Sequence, residues 1–418
     1  MTRTERIYYL VFGLYTLSGW FLAPVYALFL LNLGLDLFQI NAVLATYLIA
    51  ACIFEVPTGA FADVVGRKTS FVLSALVRMV AFGLYGFAHT FTDCLFAEFV
   101  DAIGSTLASG ALDAWAIDGM RAEGGSATVE RFFARAQMLM RSAIIIGGIA
   151  SGYIAAYQFN LPWLVASAGF GCTAVVACFV MHEPPPTSHR RWRDVPISLG
   201  RTVRDGLRTV RTAPVLLLLC TLTLIGAFGI MPVRMTWQPR LQSVMPQGLW
   251  WMGWVWALLN LACVGGNALV PLLLVRVRRE YVLCVTSLWR ALMLAIAGTA
   301  TGFFPALTGL LCEEIGVGLD EPIQQAWMNE HIGAEQRATV LSVRAMAFTL
   351  GGGAGLVCLG LVARDLGMAT AWICSAIVVL LAAPGFVALG RLARRQPPAP
   401  VATIGTALPT LAPPATAP

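Results

Sequence analysis

Charged residues are scarce in this chain. Asp, Glu, Lys and Arg make up 12% of its 418 residues, whereas hydrophobic residues make up 58%. Because soluble domains usually carry about 25% charged residues, this composition excludes a soluble protein with a single anchor. The apolar runs extend over nearly the whole chain, and each is long enough for a membrane-spanning helix of about 20 residues. We therefore expect an all-α polytopic membrane protein and not a barrel, whose strands need only about 10 residues.

Patterns typical of catalysis, metal binding and nucleotide binding are also missing. The 4 histidines are not accompanied by other metal-ligating residues, and the 10 cysteines show no repeated spacing. Neither a metal site nor a disulfide framework is indicated. No Ser-His-Asp set or phosphate-binding loop is present. We expect no metal, no cofactor and no enzymatic activity.

Twelve apolar runs predict twelve transmembrane helices. They are residues 7–31, 38–62, 70–90, 94–118, 137–158, 161–181, 214–235, 250–274, 281–302, 305–328, 338–361 and 369–390. With the N-terminus placed inside, most of the 28 Lys and Arg residues fall in inner segments. This bias predicts a multi-pass protein of the cell inner (plasma) membrane with both termini cytoplasmic. It also accounts for the net charge of +6 without a nucleic-acid partner.

The middle of the chain separates two groups of six spans. Its run of prolines from Pro184 to Pro186 cannot continue a helix. Apolar and arginine side chains then recur at helical spacing on two different faces, which predicts an amphipathic helix on the inner membrane surface. We predict an N-terminal six-helix bundle, a cytoplasmic linker, a C-terminal six-helix bundle and a disordered cytoplasmic tail. Their bounds are 1–181, 182–213, 214–392 and 393–418.

The two halves repeat the same polar landmarks. The constant offset that takes Arg78 to Arg290 also takes Asp101-Ala102-Ile103-Gly104 to Glu313-Glu314-Ile315-Gly316, and Asp118 to Glu330. Because charged residues inside membrane spans are rare, these shared positions indicate a tandem repeat. Two parallel halves of this kind enclose a substrate site between them.

A short charged turn lies between spans 2 and 3. Its glycines and charged residues are Gly59, Asp63, Gly66, Arg67 and Lys68. Since charged side chains are costly in hydrocarbon, the turn must lie at a membrane surface. It resembles the Gly-x-x-x-Asp-Arg-x-Gly-Arg-Lys loop of the major facilitator superfamily of secondary transporters, with Val64 in place of the first arginine. Three further segments are similar to segments of its bacterial efflux members, which are of the drug/proton antiporter type. They are Phe54–Gly59, Gln238-Pro239 and Arg337–Ser342.

The resemblance implies two pseudo-symmetric six-helix bundles, the major facilitator fold, which work by alternating access. It also implies an inner-surface charge cluster of Asp63, Arg67 and Asp118 that holds the outward-open state. In the second half Arg279 can meet Glu330. We therefore expect a conformational latch made of Gly59, Asp63, Gly66, Arg67, Lys68, Asp118, Arg279 and Glu330.

Carboxylates form polar stripes on spans 4 and 10. The first stripe contains Glu98, Asp101 and Asp113, and the second contains Glu313, Asp320, Glu321 and Gln324. A carboxylate facing lipid costs about 3 kcal/mol or more, so the stripes should face a water-filled cavity or protein. One interpretation is a cavity that binds cationic solutes or protons. The other is a set of ion pairs that fix the packing of the helices.

Arg78 lies near the middle of span 3 and needs an acidic partner. We expect that partner to be Glu55 or Asp113, in either a permanent ion pair or a proton-switched one. The second half carries amides at the corresponding positions, which favours the first half for proton coupling. The hypothesis is that Glu55 or Asp113 titrates during transport.

Tryptophans could stack on an aromatic or cationic solute. Trp115 and Trp327 adjoin the polar stripes, and both stacking and structural interpretations stay open for them. The cluster from Trp250 to Trp256 is more typical of an aromatic belt at the outer membrane interface.

The sequence thus predicts a proton-coupled exporter of small lipophilic or cationic compounds, acting as a monomer in the bilayer. An importer of a small solute on the same fold is the closest alternative. A membrane-embedded enzyme is a distant one, since no nucleophile and base stand out.

Overall fold

The structure is a computed structural model that describes residues 1–123, 129–182, 208–245, 248–332 and 337–395. Every long element within them is an α-helix. The N-terminal half contains α1 (Arg3–Trp20), α2 (Tyr26–Asn32), α3 (Leu37–Val65), α4 (Arg67–Gly86), α5 (Phe91–Ala108), α6 (Ala111–Ala122), α7 (Val129–Tyr157) and α8 (Leu161–Val180). The C-terminal half contains α9 (Pro214–Val244), α10 (Trp250–Leu274), α11 (Arg279–Thr299), α12 (Phe303–Glu330), α13 (Arg337–Leu366) and α14 (Met368–Arg395). The predicted amphipathic linker helix and disordered tail lie mostly outside the described residues.

These helices form twelve spans, because spans 1 and 4 are each built from two helices. The sequence predicted both as continuous, and that prediction is wrong. Span 1 breaks into turns at 21–25 around Pro24, which has no N–H for a helical hydrogen bond. Span 4 breaks at Ser109 and Gly110, where Gly110 has a left-handed φ of 68°. Such a conformation suits glycine, which has no Cβ to clash.

Polar caps fix where several spans begin. Asp36 and Gln39 form a reciprocal capping box at the start of α3. Thr90 and Asp93 do the same for α5, which therefore starts at Phe91, three residues before the apolar run suggested. These side chains satisfy the backbone N–H groups that a helix start leaves open. Within the described residues, ten candidate spans, with α5 and α6 taken together as one, are apolar enough to cross a membrane by length and composition.

The two halves form separate bundles that meet along two seams. In one seam α3 packs against α13, and in the other α7 packs against α10. The α3–α13 contacts lie at the end of the molecule away from the chain termini. A Cβ on Gly360 would be 2.9 Å from Asn41 Cβ, and one on Gly352 would be 3.3 Å from Leu48 Cδ1. We call this end of the molecule, where α3 and α10 begin, the distal end.

Glycines allow the closest approach in the α7–α10 seam. A Cβ on Gly253 would lie 2.6 Å from the Gly148 carbonyl oxygen, and one on Gly152 would lie 3.0 Å from the Gly253 nitrogen. Any larger side chain would push the two backbones apart. Close backbone contact through small residues is the usual way in which helices associate in membranes, where burial of apolar surface gives no net drive.

Candidate functional site

A cavity of about 610 Å³ lies between the two bundles. Its wall combines aromatic rings with charged groups from both halves. The ionisable and aromatic residues that line it are Phe12, Tyr15, Trp20, Tyr26, Tyr47, Arg78, Phe82, Tyr85, Glu98, Asp101, Trp163, Arg234, Trp237, Trp256, Glu313 and Glu314. The volume and the mixed lining are those of a small-molecule site.

Arg78 pairs with Asp101 across the α4–α5 hairpin. Arg78 Nε lies 2.7 Å from Asp101 Oδ1, and Arg78 Nη2 lies 3.1 Å from Oδ2. The prediction of Glu55 or Asp113 as the partner is therefore wrong. Because α4 ends at Gly86 and α5 begins at Phe91, Arg78 and Asp101 lie eight and ten residues from the turn between them, at similar depth. The guanidinium also lies over aromatic rings, the nearest being that of Phe170 at 4.5 Å.

The second half repeats this pair with one carboxylate more. Arg290 lies 2.8 Å from Glu313, which is the repeat equivalent of Asp101, and 2.7 Å from Asp320. In each half a glycine of α5 or α12 makes room for the arginine. A Cβ on Gly104 would lie 2.6 Å from Arg78 Cγ, and one on Gly316 would lie 2.9 Å from Arg290 Cδ.

Glu98 lies in the cavity wall on α5 with tyrosines as its polar neighbours. It is 6% exposed, and the Tyr85 hydroxyl donates to its Oε2 at 2.5 Å. The Tyr26 hydroxyl is 3.2 Å from that of Tyr85. Trp163 stacks on the Tyr85 ring with 4.0 Å between centroids. The carboxyl therefore occupies an aromatic corner of the cavity.

A smaller polar pocket adjoins the cavity on the C-terminal side. Glu314 and Arg234 belong to both, and their closest N–O distance is 3.7 Å. Glu321 lines only the smaller pocket, together with Arg141 of α7. Arg141 donates weakly to Asn260 Oδ1 at 3.5 Å. The pocket thus brings charges of both halves to the α7–α10 seam.

Three tryptophans form a stack in the wall. The Trp256 centroid is 6.4 Å from that of Trp20 and 6.0 Å from that of Trp237, with interplanar angles of 22° and 13°. Trp256 therefore lies in the cavity and not in the predicted interfacial belt. Trp250 stacks at 5.9 Å on Tyr153 near the distal end of the α7–α10 seam. Trp20 is 47% exposed, so one indole is open to a ligand.

Several predicted cavity residues lie elsewhere. Glu55 accepts from Ser109 at 2.6 Å, and Asp113 accepts from Tyr8 at 2.7 Å. Trp115 is buried, and its indole donates to the His182 carbonyl. None of the three belongs to the cavity lining, nor do Asp320, Gln324 and the buried Trp327. The polar stripes serve both interpretations: Glu98, Asp101 and Glu313 line the cavity, and two of these are also held in ion pairs.

The expected latch residues lie where the two hairpins turn at the end opposite the distal one. Arg67 is ion-paired with Asp118, and Arg279 is 2.7 Å from Glu330. Both pairs join helices of the same half. Gly66 has a φ of 110°, which permits the sharp α3–α4 turn next to Asp63. Lys68 donates to the Cys178 carbonyl, and a Cβ on Gly59 would meet nothing within 4 Å.

Sequence reasoning missed some wall residues. Tyr26, Tyr85, Trp20 and Arg234 were not singled out, although each is a polar or amphipathic side chain inside an apolar run. That signal is weak because aromatic residues are common in membrane spans. Their grouping depends on how spans 1, 3, 4 and 7 pack, which spacing along one helix does not reveal.

Two repeated six-span bundles around a cavity that is bounded at the distal end define a transporter architecture. A family model described as Major Facilitator Superfamily matches residues 8–356. The chain belongs to the major facilitator superfamily and is a multi-pass membrane transporter with twelve helical spans. This confirms the predicted family and fold.

The relatives agree with that assignment. YxaM of Bacillus subtilis (strain 168), an uncharacterized MFS-type transporter, is 23% identical over 386 residues, which are 90% of this chain and 93% of YxaM. The nucleoside transporter NupG superposes with a TM-score of 0.76 at 15% identity, over 94% of this chain and 100% of NupG. A bacterial homolog of the human lysosomal transporter Spinster, inward-facing and unoccupied, gives 0.75 at 13% identity, over 95% and 98%. At these identities the two structures show the fold alone.

Proposed function

We propose that this transporter is a proton-coupled exporter of small lipophilic or cationic compounds, working by alternating access as a monomer. The observation that carries the proposal is the composition of the cavity wall. Rings from both halves surround four carboxylates, Glu98, Asp101, Glu313 and Glu314, whereas the wall itself contributes two arginines. Apolar and aromatic surface favours lipophilic compounds, and excess carboxylate favours positive charge.

The proposed setting is the cell inner membrane with both termini in the cytoplasm. The excess of arginine in the loops at the termini end supports this orientation. In it, the distal end faces outwards, and the distal contacts between the halves close the cavity on that side. The structure then corresponds to the state that receives a substrate from the cytoplasm.

Transport by proteoliposomes tests the proposal. Purified full-length protein is reconstituted, a pH gradient of either sign is imposed, and movement of the lipophilic cation ethidium is followed by fluorescence. We expect movement against the direction of proton flow, abolished by an uncoupler. Movement together with protons, or movement that ignores the gradient, would contradict antiport. Protein-free liposomes control for passive leakage.

An importer of a planar solute is the second candidate. The nearly parallel stack of Trp20, Trp256 and Trp237 supports it, since such a stack suits a flat ring. The likeness to a nucleoside transporter points the same way. Uptake of a labelled nucleoside into the same proteoliposomes, driven by an inward proton gradient, would favour import over export.

We also propose that the charged turn acts as a conformational latch and not as a substrate site. The ion pair of Arg67 with Asp118, remote from the cavity wall, supports this role. Asp63→Asn should slow transport while leaving substrate affinity nearly unchanged. Equilibrium binding of ethidium separates the two effects, and lost binding would contradict the latch.

A further inference from the structure

Glu98 differs from the other carboxylates of the cavity wall. Asp101, Glu313 and Glu314 each have an arginine nitrogen within 4 Å. In the described part of the chain, no ion pair of this kind is found for Glu98, whose hydrogen-bond partner is Tyr85. A buried carboxylate without a cationic partner is costly in its charged form. Glu98 is therefore the wall carboxylate whose charge is least compensated.

Two hydrogen bonds and a short stretch of chain connect Glu98 with a contact between the halves. The hydroxyl of Tyr85 donates to Glu98, and that of Tyr26 lies next to it at 3.2 Å. Tyr26 is the first residue of α2, directly after the break in span 1. Within that break the Ala23 carbonyl accepts from Gln238 Nε2 of α9 at 2.7 Å. The break leaves this carbonyl free of a helical partner, so the other half can hold it.

We propose that Glu98 is the coupling carboxyl of this chain, and that Tyr85 and Tyr26 transmit its proton occupancy to the Ala23–Gln238 contact between span 1 and α9. An ionised carboxylate only accepts hydrogen bonds, so it fixes the direction Tyr26 to Tyr85 to Glu98. A protonated carboxyl can itself donate, which removes that constraint and frees α2 to move. The inference rests on the proton coupling proposed above.

Other charged and titratable groups face Glu98 from each element packed around it. They are Asp101 and Cys94 on α5, Arg78 and Tyr85 on α4, and Tyr26 on α2; Tyr47 of α3 lines the same cavity. Arg78 donates two hydrogen bonds to Asp101. The guanidinium is therefore paired with Asp101, and the hydrogen-bonding neighbours of Glu98 are tyrosines. Tyr47 donates instead to Ser105 at 2.8 Å, outside the path.

Infrared titration of the full-length protein in bilayers tests the site without a substrate. Acidification should produce a carboxylic-acid C=O band that is lost in Glu98→Gln and shifted in Tyr85→Phe. The band should persist in Glu55→Gln and Asp113→Asn, the acids that the sequence suggested. A band that survives in Glu98→Gln, or that disappears in either of the other two variants, would overturn the assignment. The amide bands of each spectrum verify that the variant is folded.

Hydrogen exchange tests the transmission. Peptides that contain residues 21–26 should change protection between neutral and acidic pH, after correction for intrinsic exchange rates. We expect the change to be lost in Glu98→Gln and Tyr26→Phe and kept in Tyr47→Phe, the matched tyrosine outside the path. Retention in Tyr26→Phe, or equal loss in Tyr47→Phe, refutes the relay. Neither measurement needs transport, so failure of ethidium export with a titrating Glu98 would count against the proposed substrate alone.

Discussion

Removal of Asp101 and removal of Glu313 should cost different amounts of stability, although the repeat makes the two residues equivalent. Arg78 forms its ion pair with Asp101. Arg290 is shared between Glu313 and Asp320, at 2.8 and 2.7 Å. After Asp101→Asn a buried guanidinium has lost its counter-ion. After Glu313→Gln the Arg290 guanidinium keeps Asp320 as its counter-ion.

The structure sets the size of the difference. Removing one partner of a buried ion pair costs about 3–5 kcal/mol because the remaining charge is uncompensated. The ring of Phe170, 4.5 Å from the Arg78 guanidinium, retains part of the stabilisation, so the lower half of that range applies to Asp101→Asn. Glu313→Gln weakens a charge-assisted hydrogen bond and leaves an amide acceptor, which costs about 1.5 kcal/mol.

Denaturant or thermal unfolding in one detergent, followed by size-exclusion chromatography, measures both variants against the parent. Asp101→Asn should be the less stable by about 1.5–2.5 kcal/mol, the difference between those two costs. The double variant Arg78→Gln with Asp101→Asn should recover part of the loss, because no charge is then unpaired. Equal costs for the two single variants, or a double variant as unstable as the sum of its parts, would refute the reasoning.

Three further outcomes follow from local geometry. Gly104→Ala should destabilise by about 1–3 kcal/mol through overpacking, whereas Gly59→Ala, which meets nothing within 4 Å inside α3, should leave stability unchanged or raise it by up to about 1 kcal/mol in the same melt. The Thr4 hydroxyl holds the pKa of Glu123 below its ordinary value, so this carboxylate stabilises the protein above about pH 4.3 and loses its effect as the pH falls through the lowered pKa. Melting curves of Glu123→Gln and the parent should therefore differ at pH 7 and converge in acid. Trp20→Ala should raise the KM for ethidium up to about tenfold, which is the loss of one aromatic contact of up to about 1.5 kcal/mol.

The sequence was informative where physical cost restricts the choice. Charge is so unfavourable in hydrocarbon that the positions of Arg78 and Arg290, together with the acids at the same offset, are enough to indicate the repeat. For the same reason the polar stripes were expected to avoid lipid; Glu98, Asp101 and Glu313 lie in the cavity wall, whereas Asp320 does not. The family motif likewise located the turn at Gly66.

Features that depend on packing between distant spans could not be predicted. The relative depth of Arg78 and Asp101 depends on the end of α4 at Gly86 and the start of α5 at Phe91; the predicted bounds of 90 and 94 led to the wrong partner for Arg78. The position of Trp256 is fixed by how closely α10 approaches α7, which no period along α10 encodes. The breaks at Pro24 and Gly110 were visible as residues, but either residue is also tolerated inside a membrane helix.

The glycine seam between α7 and α10 has a mechanical consequence. At Gly152 and Gly253 backbone faces backbone, so these two positions present no interdigitating side chain, whereas the Trp256 indole packs against Gly148. The attraction there is short-ranged dispersion between matched surfaces, which is lost within about an ångström of opening. Such a joint resists small displacements and offers little resistance to larger ones. We therefore expect this glycine contact to separate abruptly and not gradually.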